Sequence, residues 1–527
     1  MSLPLLRGYP AVLAVHPAVI NTRYQQLARY GFMPTTWEAH DHGWQLQATV
    51  DTPFISLDPA VPESLVLNFK VKTGVFTASV INDDNEAAKK PYQLDGITFR
   101  IITPTQLLRE NINDNNLSIS LFLQLDAPQV NTLVETSQAV ATEMPDGIQV
   151  QLATRVQDYV QQLAKSNSQA FIVSGSVITT SPDFSSPDPT QARLSLTQAG
   201  DQSSLNWLYL LRFTPDTGSP EAGHFDQPLL DAGQQVVYTI HSYALMHNIV
   251  IPAMAESLGI APNSFHGWDD AAPSYPKVEL KGEQRWRGGF TLKRTSIYPA
   301  NDHIQVDCYA ENVTKQESDF LGIPISSVTI TTTLSWSVSV SFSGENGLVK
   351  TTSSVFNQKA EQHSDSSILG IPFPSFMNDL MDNMLHSLSA SIVVGVGGNL
   401  SSRLSGFTIP GGGTFNLQSV TMRDGNLRLQ LTAGGFSRLE PAQLGQYRSL
   451  QGDTPVSLSV HNHTNQNRHL IWLDYQGQQH PYAVIAPNAV SSLSSFATHV
   501  FAIYDDAGHC LDVYRLDAAG SIDIYLF

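Results

Sequence analysis

The stretch "VTITTTLSWSVSVSF" at residues 328–342 limits the possible folds more than any other part of the chain. Val328, Ile330, Leu334, Trp336, Val338, Val340 and Phe342 share one face of an extended backbone, and Thr329, Thr331, Thr333, Ser335, Ser337, Ser339 and Ser341 share the other. Only Thr332 breaks the alternation. At about 3.3 Å per residue the stretch reaches roughly 50 Å, whereas a usual strand has about 5 to 6 residues. Such a strand needs an unusually broad sheet, with the apolar face turned to an interior.

Shorter versions of the pattern recur in "SLVLNFKVKTG" from Ser64, "LSISLFLQL" from Leu117, "LNWLYLLRF" from Leu205 and "LRLQLTAGG" from Leu427. High sheet content with antiparallel pairing is therefore expected. Three segments carry helical periodicity instead. In "SFMNDLMDNMLHSL", residues 375–388, Ser375 can cap and Phe376, Met377, Leu380, Met381, Met384, Leu385 and Leu388 form one apolar stripe. "SYALMHNIVIPAMAESLG", residues 242–259, closes on a glycine and contains Pro252, which is expected to kink it. "LATRVQDYVQQLAKS" from Leu152 places Leu152, Val156, Tyr159, Val160 and Leu163 on one side. The class is α+β, neither a pure sandwich nor an outer-membrane barrel. Turn-rich stretches at 179–191, 216–223 and 449–455 mark boundaries, and the last, "SLQGDTP", reads as a linker to a separate tail.

With 527 residues, of which 42 % are hydrophobic, the chain can fill several cores. Charged residues make up only 14 %, the net charge is -18, and no basic run exceeds "AAKKP", which opposes nucleic acid as a partner. Cys308 and Cys510 fit neither a metal knuckle nor a disulfide framework and read as two reduced thiols. The N-terminal "MSLPLLRGYPAVLAVHPAVI" is interrupted by Pro4, Arg7, Gly8 and Pro10 before a signal-peptide core can form. Synthesis in the cytoplasm is expected, with any release by a non-classical route. No run approaches the about 20 apolar residues of a membrane span.

Motifs for catalysis are missing: there is no G-x-S-x-G, P-loop, H-E-x-x-H or G-x-G-x-x-G. "HDH" at 40–42 and "HNH" at 461–463 lack a third metal ligand in sequence and read as turn or surface histidines. "GVGG" at 395–398 and "PGGG" at 410–413 lack the lysine and spacing of a phosphate loop and read as bends. No catalytic residue, metal or cofactor is assigned, and the chain is not expected to be an enzyme.

"LVLNFKVKTG", "FPSFMNDLMDNML" and "FTIPGGGTFNLQSVTMRDGNLRLQL" resemble the clostridial P-47 family, companions encoded beside neurotoxin genes, within the TULIP superfamily of tubular lipid-binding proteins. The resemblance spans residues 1–450, with 1–235 and 236–450 as the two parts of the body. It implies long, strongly curved antiparallel sheets wrapped around long amphipathic helices. It also implies an elongated apolar groove for a lipid or other hydrophobic molecule; Trp336 on the apolar strand face and Met377, Met381 and Met384 on the helical stripe are the contacts expected from the residues themselves. Methionine suits such a surface because its unbranched side chain adapts to ligands of varying shape. Dense filling of the tube by side chains is the alternative.

The tail, residues 455–527, resembles the β domain of the von Hippel-Lindau tumour suppressor, a small β-sandwich that recognises hydroxyproline. The match rests on "IWLDYQG", "HPYAVIAP" and "THVFAIYDDAG". It implies a pocket of Trp472, Tyr482, Ser495, His499 and Phe501, in which aromatic walls hold a pyrrolidine ring while a hydroxyl and an imidazole meet its polar substituent. Phe501 stands where the family has a second tryptophan, and Phe496 where it has a neighbouring tyrosine. The family's helical domain has no counterpart before Phe527, so ligase function is not expected. Packing of these aromatics as sandwich core is the alternative.

The leading expectation is a non-enzymatic binding protein with a hydrophobic ligand in its body and a peptide or protein partner at its tail. Two other classes remain open: a structural or assembly component of a toxin-associated complex, and a glycan-binding or glycan-active β-protein. The latter would need a carboxylate pair across a cleft.

Overall fold

The computed structural model describes residues 6–526 apart from segments 82–86, 136–143, 167–171, 180–188, 212–227, 267–276 and 365–406 and shorter stretches of up to four residues. Within these bounds the protein is mostly antiparallel sheet. The alternating stretch lies inside a 23-residue strand, Ile323–Glu345, between the antiparallel strands His303–Phe320 and Leu348–Ser364. Ile330, Leu334, Trp336, Val338 and Val340 are buried and Phe342 is half-buried, while the side chain of Val328 lies outside the described residues. Trp336 stacks on Trp286, with centroids 5.0 Å apart and planes at 15°. The hydroxyl face is not uniformly open, since Ser337 is also buried and donates from Oγ to Asp307 Oδ1 at 2.8 Å. Pairing slips between Ser335 and Ser337, and across the slip Asn357 takes a φ of 55°. Asparagine tolerates that left-handed conformation, and the bulge bends the sheet.

The 18-residue strand Ser64–Ile81 changes partners along its length. Its first half pairs with Phe54–Ser56 and Thr98–Asn113, its second with Trp44–Val50 and Ala87–Gln93. Gly74 sits at the change, opposite Ala48, where an added Cβ would come within 2.9 Å of the Ala48 Cβ and the Gln47 carbonyl oxygen. Only glycine permits that approach. Pairing then continues through Asn116–Leu123, Ile172–Thr179, Phe407–Ile409, Gly413–Arg423, Asn426–Leu439, Val236–Ile240, Ala11–Val15 and Ser204–Leu211. Segments far apart in sequence therefore lie side by side. One buried cluster, with Leu13, Trp37, Phe69, Leu152, Trp207, Ile249, Trp336 and Leu429 among its members, fills the interior.

Helices contribute less than the sequence led us to expect. The described residues contain four α-helices, Pro17–Arg29, Asp146–Ser166, Ser242–Leu245 and Ile251–Leu258. Sheets wrapped around long amphipathic helices are thus not supported as the organising feature. The segment from Leu152 does fall in the 21-residue helix, with Leu152, Val156 and Val160 buried and Tyr159 5.3 Å from the Trp37 ring. The proline-bearing segment is instead divided, with π-helical Met246–Val250 directly before Ile251–Leu258. Proline has no N–H and its ring clashes with the carbonyl one turn earlier, which a widened turn relieves. Gly259 ends this segment at a φ of 69°. The methionine-bearing segment 375–388 lies outside the described residues. No helix among the described residues is long and apolar enough to cross a membrane.

Burial makes the two cysteines chemically unequal. Cys308 is enclosed in the body, and burial pushes its thiol up to about 12, while half-buried Cys510 rises to about 11 for the same reason. Thiolates, not thiols, react with alkylating reagents. Native protein at pH 7.5 (roughly neutral) should therefore protect Cys308 from maleimide, as read by peptide mass spectrometry, and release it on denaturation.

The described strands of the tail fall in two sheets, one a 3-stranded sheet of its own and the other continuous with the large sheet of the body. Gln479–Ile485, Arg468–Leu473, Val500–Tyr504 and Cys510–Leu516 pair in that order, and the last of them also pairs with Asn426–Leu439 of the body. Pro455–Asn462 lies between Val490–Phe496 and Gly520–Leu526, and its pairing with Gly520–Leu526 is parallel, unlike the others among the described strands. Val456, Leu458, Leu470, Phe501, Ile503, Leu516 and Ile524 come from both sheets into one buried cluster, which makes a β-sandwich.

A buried polar knot joins sandwich and body. Asp517 accepts from Arg515 Nε at 2.8 Å and pairs with Arg23 of helix Pro17–Arg29 at 2.9 Å. Ser437 receives hydrogen bonds from both arginines and donates to Asp517. The Asp517 main-chain N–H donates to the Gly435 carbonyl at 2.7 Å.

Candidate functional site on the C-terminal sandwich

One end of the sandwich gathers aromatic and histidine side chains at the surface. The strand Arg468–Leu473 supplies Trp472, whose Nε1 donates to Ser449 Oγ at 3.0 Å and is thereby fixed from the linker side. Beyond it, Asp474 closes a tight turn by accepting the Gln476 and Gln478 N–H groups at 2.8 Å each, and Gly477 adopts a φ of 82°. The aspartate carboxylate, which accepts main-chain N–H groups, and glycine, which has no side chain to oppose a positive φ, suit such turns for two different reasons. The turn carries Tyr475 to a position where its ring meets Trp472 edge-on at 5.8 Å.

His499 comes from the opposite side, after a turn in which Thr498 has a φ of 74°. That conformation is strained for a β-branched residue. It is held by Thr498 Oγ1 donating to the Leu450 carbonyl at 2.8 Å and the Thr498 N–H donating to the Leu516 carbonyl at 2.6 Å. The imidazole is only 7 % exposed and lies 5.6 Å from both the Trp472 and the Phe496 ring. Nδ1 lies 3.0 Å from buried Ser495 Oγ and Nε2 lies 3.3 Å from the Tyr475 hydroxyl. Burial holds the imidazole pKa below its usual value, favouring the neutral ring.

His499 is thus brought against both Trp472 and Ser495. Phe501 pairs across the ladder with Trp472 but is 2 % exposed, so it belongs to the sandwich core as a floor. Tyr482 packs edge-on against Phe501 at 6.2 Å and is itself 53 % exposed. It is the extra residue of a bulge between Leu470 and Ile471, which turns it outward. Trp336 lies in the core of the body, and Met377, Met381 and Met384 lie outside the described residues.

Sequence reasoning left out Tyr475, Asp474 and His480. His480 pairs with Asp474 at 2.8 Å and faces Trp472 at 5.6 Å, and this hydrogen bond holds the Asp474 carboxylate below its usual range. All three lie within "IWLDYQGQQHPY", and Tyr475 could have been found as the aromatic nearest the pocket tryptophan. Chemically, the site groups flat aromatic faces around one buried hydroxyl–imidazole pair. Among the described residues no three His, Cys, Asp or Glu side chains come together to hold a metal.

No protein-family model matches the sequence, and no curated protein is similar to it at a significant level. Solved structures are similar in fold. P47 of Clostridium botulinum A2 aligns at 12 % identity with a TM-score of 0.50, covering 80 % of this chain and 97 % of that one. P47 of Clostridium botulinum E1 aligns at 13 % identity with a TM-score of 0.55, covering 80 % and 98 %. A lipopolysaccharide binding protein aligns with a TM-score of 0.30, too low to carry an argument. These neighbours do not confirm the von Hippel-Lindau likeness of the tail. Over about four fifths of its length the chain has the antiparallel sheet fold of the P47 structures, and at 12 % and 13 % identity that likeness concerns the fold alone.

Proposed function

We propose that this chain is a non-enzymatic binding protein whose C-terminal sandwich recognises an extended peptide through a proline-like ring, with or without a polar substituent. One observation carries the reading: the buried Ser495–His499 pair is ringed by Trp472, Tyr475 and Phe496, three aromatics grouped around a single imidazole. Tyr475 and Phe496 are 42 % and 40 % exposed, so their rings are accessible to a ligand from solvent. Fluorescence anisotropy of the full chain with a labelled hydroxyproline peptide tests the reading. Trp472→Ala should weaken binding by at least about tenfold, as expected for loss of a central aromatic anchor. Equal binding by wild type and variant would sink the proposal.

A second reading concerns the body, where a hydrophobic ligand with hydrogen-bond acceptors would fit. The indole N–H groups of Trp37, Trp44, Trp207, Trp286 and Trp336 are buried without a hydrogen-bond partner among the described residues. Buried donors are nearly always satisfied, and an amphiphile's ester or carboxylate oxygens would satisfy some of these. Trp286 and Trp336 are the favoured contacts because they stack side by side. Native mass spectrometry of the purified protein should show a co-purifying amphiphile, and a spectrum of bare protein from several expression hosts would remove this reading.

A further inference from the structure

We propose that Tyr475 sets the specificity of the sandwich site by occupying, with its own hydroxyl, the imidazole nitrogen that a ligand hydroxyl would otherwise use. The inference rests on the proposed recognition of a proline-like ring and deepens it. A neutral imidazole has one donor and one acceptor nitrogen. Both are taken in this structure, Nδ1 by Ser495 Oγ at 3.0 Å and Nε2 by the Tyr475 hydroxyl at 3.3 Å. The two partners differ in how readily they give way. Ser495 is 6 % exposed and built into the strand Val490–Phe496, whereas Tyr475 is 42 % exposed on a turn and its hydrogen bond is the longer.

A ligand hydroxyl arriving between the aromatic rings therefore meets a site that is already satisfied. It must move the phenol from Nε2, and one hydrogen bond is exchanged for another with little gain. A ring without the hydroxyl needs no such exchange and can use the aromatic walls alone. Tyr475 thus acts as a resident hydroxyl that narrows the advantage of a hydroxylated ligand. Phenylalanine at this position keeps the wall and leaves Nε2 open, so the ligand hydroxyl then fills a vacant partner position.

The test uses the full chain, wild type and Tyr475→Phe, with two fluorescein-labelled peptides differing only in proline or 4-hydroxyproline at the centre. In the wild type the two affinities should lie within about threefold of each other. In Tyr475→Phe the hydroxyproline peptide should bind about tenfold more tightly while the proline peptide is unchanged. Peptide binding with an unaltered ratio, or equal weakening of both peptides, overturns the specificity role and leaves the recognition reading intact. Binding of neither peptide by either protein overturns the recognition reading together with this one. The His499 ring-nitrogen NMR shifts of the empty proteins provide a separate check: removing the phenol must move the Nε2 resonance, and an unmoved resonance overturns the proposal.

Discussion

Asp517→Ala should lower the stability of the protein by about 3–5 kcal/mol, the scale seen when one partner of a buried ion pair is removed. Arg23 and Arg515 are 3 % and 6 % exposed, so two guanidinium groups would lose the carboxylate between them, and Ser437 would lose its acceptor. By contrast Lys72→Ala, which breaks a pair with Asp51 in which the side chains are 58 % and 42 % exposed, should change stability by less than about 1 kcal/mol. Equilibrium denaturation of the two variants measures the difference. Comparable small effects would mean that the knot does not hold sandwich and body together.

The same carboxylate gives a pH dependence of known sign. Burial alone would raise the Asp517 pKa, but Arg515, Arg23 and the hydrogen bonds from Ser437 and Arg515 outweigh it and leave it below the usual value. A depressed folded pKa means that the unfolded chain binds the proton more readily. Stability from this group is therefore complete above the unfolded value of about 4 and is lost as pH falls from there through the folded value. In Asp517→Ala the acid limb of the stability curve should be shallower.

Val338→Asp should cost about 4–5 kcal/mol or prevent folding, because Val338 has no exposed surface and belongs to a buried hydrophobic cluster in which a carboxylate would lose its hydration. One residue along, Ser339→Asp should be mild. Ser339 is half-buried on the hydroxyl face, and its Oγ forms one hydrogen bond with Ser354 Oγ at 2.6 Å in an exposed setting. Thermal melts of the pair should separate widely, and coincident melts would place both side chains in similar surroundings.

The contrast between neighbours was legible in the sequence because strand periodicity is local: two residues suffice to tell one face from the other. The same holds for the apolar side of the helix Asp146–Ser166, whose buried Leu152, Val156 and Val160 follow the helical repeat. The types of residue in the sandwich site, an aromatic group with a serine and a histidine, were also visible in the order of the chain.

What the chain pattern could not give was partnership. The strands Phe407–Ile409, Gly413–Arg423 and Asn426–Leu439 lie between strands drawn from 172–179 and 236–240, and nothing in the periodicity of these segments selects those neighbours. The knot of Arg23, Ser437, Arg515 and Asp517 depends on positions up to several hundred residues apart, and in sequence each is an ordinary polar residue. Tyr475 likewise gained its contact with His499 only when two separate turns brought them within 3.3 Å. Local sequence sets which face of an element is apolar because that is decided by backbone geometry over two to four residues (about one repeat). Which faces and charges meet is decided by the joint packing of the whole chain, since burial rewards any apolar partner while a buried charge is stable only beside its own counterpart.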